Sequence, residues 1–140
     1  MTTAHSYEPD SRLIGTVADG VYAPREDSAL LVNVMYKTGL ALGSKVADLC
    51  TGSGVIAVNA AAQGAARVSA FDICAKAVRC ARTNAQVHGA QVDVHLGSWA
   101  RAAEFGPYDL VVCNPPYVPN DPHCESLPSM VGPAQIGRAH

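Results

Sequence analysis

The tetrad Asn114-Pro115-Pro116-Tyr117 carries the most specific chemistry in the chain. Proline has no N–H to donate, but the Pro115 carbonyl is a free acceptor, and two successive prolines hold it in place. The Asn114 side chain adds a second acceptor beside it. Together they can receive both hydrogens of an –NH₂ group, while the Tyr117 ring packs on the flat group that carries the nitrogen. An amide or aromatic amine nitrogen is a poor nucleophile because its lone pair is delocalised. Hydrogen bonds to both N–H groups turn the lone pair toward an activated methyl group, and in-line placement at ~3–3.5 Å supplies much of the catalysis. The competing reading is a proline-stiffened loop with no chemistry.

A second constellation lies upstream. The segment Asp48-Leu49-Cys50-Thr51-Gly52-Ser53-Gly54 joins an apolar strand-like run to an alanine-rich helix. Small residues there let a ligand approach the backbone, and the helix start offers free N–H groups. Asp72 ends the next apolar run, where an acid can accept hydrogen bonds from both hydroxyls of a ribose. Two ligands fit. Gly52-Ser53-Gly54-Val55-Ile56-Ala57 satisfies the dinucleotide pattern G-x-G-x-x-G/A, which would make the chain an NAD-binding dehydrogenase fragment. The other ligand is S-adenosylmethionine, which has no phosphate and whose ammonium Asp48 could help hold. The loop alone does not choose between them, and a tight turn without ligand is the bland alternative.

These residues need elements to position them. Pro24, Glu26, Asp27 and Ser28 read as a helix start, with apolar residues following at Leu30, Leu31, Val34 and Met35 and glycines at 39 and 43 as stops. Strands are predicted at residues 45–50, 67–72, 91–96 and 108–113, and helices at 55–62 and 75–88. The third and fourth strands are joined by a short connector containing Trp99 and Phe105. Alternating strand and helix implies a parallel sheet with right-handed crossovers, ordered 3-2-1-4. The fold class is α/β, a Rossmann-like doubly wound sheet. Residues 1–20 read as an irregular segment and 21–140 as one domain. The proline-rich stretch after Cys113 shows no periodicity.

Composition narrows the classes. The chain has 140 residues, 49% hydrophobic and 16% charged, with a formal charge of −2. That suits one packed domain and lacks the basic footprint of an autonomous nucleic-acid binder. No secretory signal and no membrane-length apolar run are evident. The five cysteines include no C-x-x-C and read as reduced thiols in a cytoplasmic protein. The five histidines form no ligand spacing, so no metal site is expected. Trp99 reads as a core residue, with a place lining the adenine pocket as the alternative, and Lys76, Arg79 and Arg82 as a solvated helix face, with a partner-binding patch as the alternative.

With the loop, Asp72 and the tetrad in hand, the sequence resembles the class I S-adenosylmethionine methyltransferases, and within them the HemK/PrmC group of protein-glutamine methyltransferases, in its shorter branch. VYAPREDSALL resembles that group's entry into the first helix, VADLCTGSGVIAV its cofactor loop, and YDLVVCNPPYVP its strand and tetrad. The resemblance spans roughly residues 20–120. It implies S-adenosylmethionine as cofactor and, as protein partner, a peptide chain release factor, methylated on the glutamine amide of its Gly-Gly-Gln loop. The exocyclic amino groups of nucleic-acid bases are the alternative acceptors. It further implies that Ser28, Asp48, Cys50, Thr51, Gly52, Gly54, Asp72, Ser98 and Asn114 surround the cofactor. Asn114 and the Pro115 carbonyl would hold the amide, with Pro116 and Tyr117 completing the catalytic tetrad. Cys50 stands where the group has glycine, and Ser98 where it commonly has aspartate. The group continues for three more strands beyond the tetrad loop, so the C-terminal strands are expected to be missing. That leaves the fourth strand a bare edge and the chain a marginally stable, poorly active fragment.

Overall fold

The computed structural model describes residues 26–114 and 135–137. Within them nine elements run in chain order: α1 (Glu26–Thr38), β1 (Lys45–Leu49), α2 (Val55–Ala62), β2 (Arg67–Asp72), α3 (Ala75–Val87), β3 (Asp93–Leu96), α4 (Trp99–Ala103), β4 (Leu110–Cys113) and β5 (Gln135–Gly137). The strands form one sheet in the order β3-β2-β1-β4-β5. The first four are parallel, as a βαβ chain of right-handed crossovers requires. β5 is antiparallel to β4, with Val112 opposite Ile136. It corrects the bare edge expected for the fourth strand, because three residues of the C-terminal stretch pair with β4 there. The boundary expected between residues 20 and 21 lies outside the described residues.

Strand alternation builds two cores. On one face Val46, Val68, Ala70, Val94, Leu110 and Val112 pack under Leu31, Val32 and Met35 of α1 and the apolar faces of α2 and α3. On the other face Ala47 and Phe71 meet Tyr108 and Ala102, the buried residue of the short α4. Tyr108 Oη donates to the Ala102 carbonyl at 2.7 Å, so a buried phenol is satisfied without breaking the core. Leu30, expected on the buried face of α1, is 62% exposed, and Val32 takes its place. Val32 fits because it shares the face one turn from Met35.

The β1–α2 turn depends on close backbone approach. Gly54 has φ +85, and a Cβ placed on it would lie 2.9 Å from Ala81 Cβ and 3.1 Å from Ala81 Cα in α3. α2 and α3 therefore seat against each other only because this position has no side chain. Gly89, at φ +65, has open space around it. We expect Gly54→Ala to cost about 2–4 kcal/mol, from overpacking plus left-handed strain. Gly89→Ala should cost about 1 kcal/mol from strain alone. Urea unfolding of the two variants checks this, and equal losses would contradict the packing account.

Candidate active site

Asp48 is 1% exposed at the carboxyl end of the central strand. Its Oδ2 accepts from Thr51 Oγ1 at 2.7 Å, while Oδ1 is buried with no hydrogen-bond partner. Burial pushes its pKa up to about 7. The Thr51 hydroxyl opposes that shift, the nearby Asp72 charge adds to it, and the Ala57 amide at the head of α2 eases it without giving Oδ1 a partner. An orphaned acceptor at 1% exposure is a site waiting for a donor, and a cationic donor best of all.

The chain reverses after β1 through Cys50 at φ +60, a left-handed conformation that glycine adopts freely and a cysteine adopts at a cost of roughly 1–2 kcal/mol. The loop thus keeps at Cys50 the left-handed turn for which glycine is the ordinary residue. Cys50 stays a neutral thiol: its hydrogen bond with Cys113, then burial, then the charges of Asp72 and Asp48 all push its pKa up. Thr51 N donates to the Phe71 carbonyl at 2.9 Å and Gly52 N to Asp72 Oδ2 at 2.9 Å, which ties the loop to the end of β2. Asp72 Oδ1 also accepts from Cys74 N at 2.9 Å. The acid is thus oriented from both sides.

A shallow groove runs from this point toward β3, lined by Leu49, Cys50, Phe71, Asp72, Gly97, Ser98 and Trp99 among others. Gly97 N donates to the Asp72 carbonyl, and Ser98 caps α4 by accepting from Ala100 N at 3.3 Å. Trp99 is 59% exposed on the groove's rim, which corrects its reading as a core residue. It opens a five-residue helix whose buried side holds only Ala102, so the indole has no core to enter. The signal available in the sequence was its place directly after the Ser98 cap.

Asn114 follows β4 on the same side of the sheet as Asp48. Its Nδ2 donates to Ser28 Oγ of α1 at 2.8 Å, and its Oδ1 is buried without a partner. Pro115, Pro116 and Tyr117 lie outside the described residues. Among the expected site residues that are described, Asp48, Cys50, Thr51, Gly52, Gly54, Asp72 and Ser98 gather around the carboxyl ends of β1 to β3, where ligands bind in an open α/β sheet. Ser28 and Asn114 form a pair beside them that sequence spacing could not reveal. Among the described residues no group of three His, Cys, Asp or Glu side chains could hold a metal. None of the described helices is long and apolar enough to cross a membrane. Cys74 is disulfide-bonded, which corrects the reading of all five cysteines as thiols.

A family model, the methyltransferase small domain, matches residues 18–130. The release factor glutamine methyltransferase of Bordetella pertussis is 43% identical over 102 residues, 70% of this chain and 37% of that protein. The ribosomal protein L11 methyltransferase of Symbiobacterium thermophilum is 47% identical over 72 residues, 51% of this chain and 23% of that protein. The magnesium protoporphyrin IX methyltransferase of Synechocystis PCC 6803, solved with bound SAH, superposes with a TM-score of 0.55 at 28% identity, covering 61% of this chain and 39% of that one. The chain spans well under half the length of the curated relatives it matches.

The state of Asp48 gives a pH test. Its folded pKa of about 7 lies above the ordinary value of 3.8, so folding favours the protonated carboxyl. That contribution is fully present below pH 3.8 and is lost as pH rises through about 7. We expect unfolding free energy to fall from pH 4 to pH 8 by up to about 4 kcal/mol on this account. In Asp48→Asn, which cannot ionise, that slope should vanish. Urea unfolding at the two pH values measures it, and parallel slopes for the two proteins would contradict the assignment.

Proposed function

The chain belongs to the methyltransferase small domain family, and on that premise we propose that it is the cofactor-binding and acceptor-holding part of an S-adenosylmethionine-dependent N-methyltransferase. The observation that carries the reading is the buried, unpartnered Oδ1 of Asn114 just past the end of β4, next to the strand whose carboxyl end carries Asp48. It is an acceptor held ready for an N–H.

The residues present fit the cofactor. Asp48, with an orphaned oxygen in a dry site, suits an ammonium, which would bring its carboxylate back to the charged form. Asp72, braced by two backbone amides, would take the ribose hydroxyls. Ser98 and the exposed Trp99 would flank the adenine. When bound, S-adenosylmethionine supplies a methyl group on a sulfonium, an electrophile already activated. Asn114 Oδ1 would accept one hydrogen of the acceptor –NH₂, and the Pro115 carbonyl would take the other. Those two bonds would turn the nitrogen lone pair toward the methyl group, and the proton that the nitrogen must lose after transfer would pass to solvent, so positioning does the catalytic work and no strong base is needed before transfer. The dinucleotide alternative loses to the family match.

For the acceptor we favour the glutamine amide of a peptide chain release factor over a nucleic-acid base. Two observations support this. The chain carries a formal charge of −2, poorly suited to a phosphate backbone. The curated relatives reported above are named for protein substrates. The cytoplasm, where release factors work, is the corresponding compartment.

Calorimetry should show binding of S-adenosylhomocysteine (SAH) and none of NAD. Asp72→Ala should weaken SAH by at least about tenfold, the loss of a charge-assisted hydrogen bond. With labelled cofactor, methyl should pass to a release factor and not to RNA or DNA. NAD binding alone would overturn the cofactor, and label confined to nucleic acid would overturn the acceptor.

A further inference from the structure

Asn114 is useful only in one orientation. A primary amide presents a carbonyl oxygen on one side and an –NH₂ on the other, and the two ends are nearly the same shape. An acceptor substrate offers N–H groups. If the Asn114 amide turned over, its own N–H would face them, and attraction would become repulsion. Nothing in the tetrad sequence fixes this choice.

In the folded chain the –NH₂ end of the amide is engaged by a residue 86 positions away. Ser28 lies in the first turn of α1, 6% exposed, and its Oγ accepts from Asn114 Nδ2 at 2.8 Å. The same amide's Oδ1 is left buried and unpartnered. α1 is itself anchored on the sheet by Leu31, Val32 and Met35 over the core face that carries Val112, two residues before Asn114. The hydroxyl therefore stands on a packed helix, and its low exposure leaves little room for water to replace it.

We propose that Ser28 is a positioning residue for the methyl acceptor: by accepting from Nδ2 it holds Asn114 with Oδ1 directed at the substrate nitrogen. This rests on the methyltransferase reading above and gives α1 a part in the acceptor site. It also separates Ser28 from the cofactor set in which sequence resemblance placed it. A serine that contacts cofactor would affect cofactor affinity; a serine that aims Asn114 affects the transfer step.

The test compares Ser28→Ala and Ser28→Thr with the unmodified protein. Ser28→Ala should lower kcat on a release factor by at least about tenfold, as expected when an in-line acceptor is released from its geometry. The calorimetric Kd for SAH should stay within about twofold. Ser28→Thr keeps the hydroxyl and should restore kcat to within about threefold. Thermal unfolding of each variant separates a folding defect from a positioning defect. Unchanged kcat in Ser28→Ala, or a raised SAH Kd with kcat intact, overturns the inference. A second readout needs no turnover: the ¹⁵N side-chain amide signal of Asn114, which should move and exchange faster with water in Ser28→Ala and return in Ser28→Thr. If that signal does not respond, the inference fails whatever the activity. If it responds while the unmodified protein methylates neither release factor nor nucleic acid, the methyltransferase reading fails and the Ser28–Asn114 lock stands.

Discussion

The burial of one carboxyl group organises the site. Asp48 sits at 1% exposure on the central strand, between β2 and β4, where water cannot reach it. A charge in that position is expensive; the Thr51 hydroxyl and the Ala57 amide offset part of the cost, and one oxygen is left unsatisfied. Thr51 reaches it only because the chain turns sharply at Cys50 and Gly52, and that turn is fixed in place by bonds from Thr51 N to Phe71 and from Gly52 N to Asp72. The two acids at the ends of adjacent strands are thus parts of one loop architecture. On the proposed reading, a cation bound at Asp48 would recover stability given up by that burial.

A similar economy holds at Asn114. Its amide is satisfied on one side by α1 and buried without a partner on the other, so the unsatisfied oxygens of Asp48 and Asn114 lie at the ends of neighbouring strands. In the register of the sheet, Leu49 stands opposite Cys113, so each of these acceptors is one residue from that pair. Parallel pairing brings these two unpartnered oxygens into one neighbourhood although 66 residues separate Asp48 and Asn114 in sequence. The helices on that face serve as a platform: α2 is packed against α3 through Gly54, and α1 carries the partner of Asn114.

Much of this was legible from residue types. The ends of β1, α2 and β2 fall where glycines and acids interrupt apolar runs, and α2 and β2 match their predicted bounds. β3 and β4 begin two residues later than predicted. At β4 the reason is visible: Asp109 is used to tie the start of the central strand β1, its carboxylate accepting from Lys45 N at 2.9 Å. α4 was read as a connector because only Ala102 of its five residues is buried, too little for a hydrophobic period. β5 was missed because a three-residue antiparallel strand between proline and glycine has no alternation to detect. The role of Ser28 was invisible for a different reason. A hydroxyl in a first helical turn looks like a cap or a ligand contact, and only the fold reveals a partner so distant in sequence.

The central claim is that the carboxyl ends of β1, β2 and β3 form one cofactor site with the β4 acceptor beside it. Titration of ¹⁵N-labelled protein with SAH tests this directly. The account predicts that amide shifts concentrate at residues 50–54, Asp72 to Cys74 and Gly97 to Trp99, with a smaller response at Asn114. Shifts that spared these residues and gathered instead on the far ends of the strands, or no shifts at saturating ligand, would contradict it.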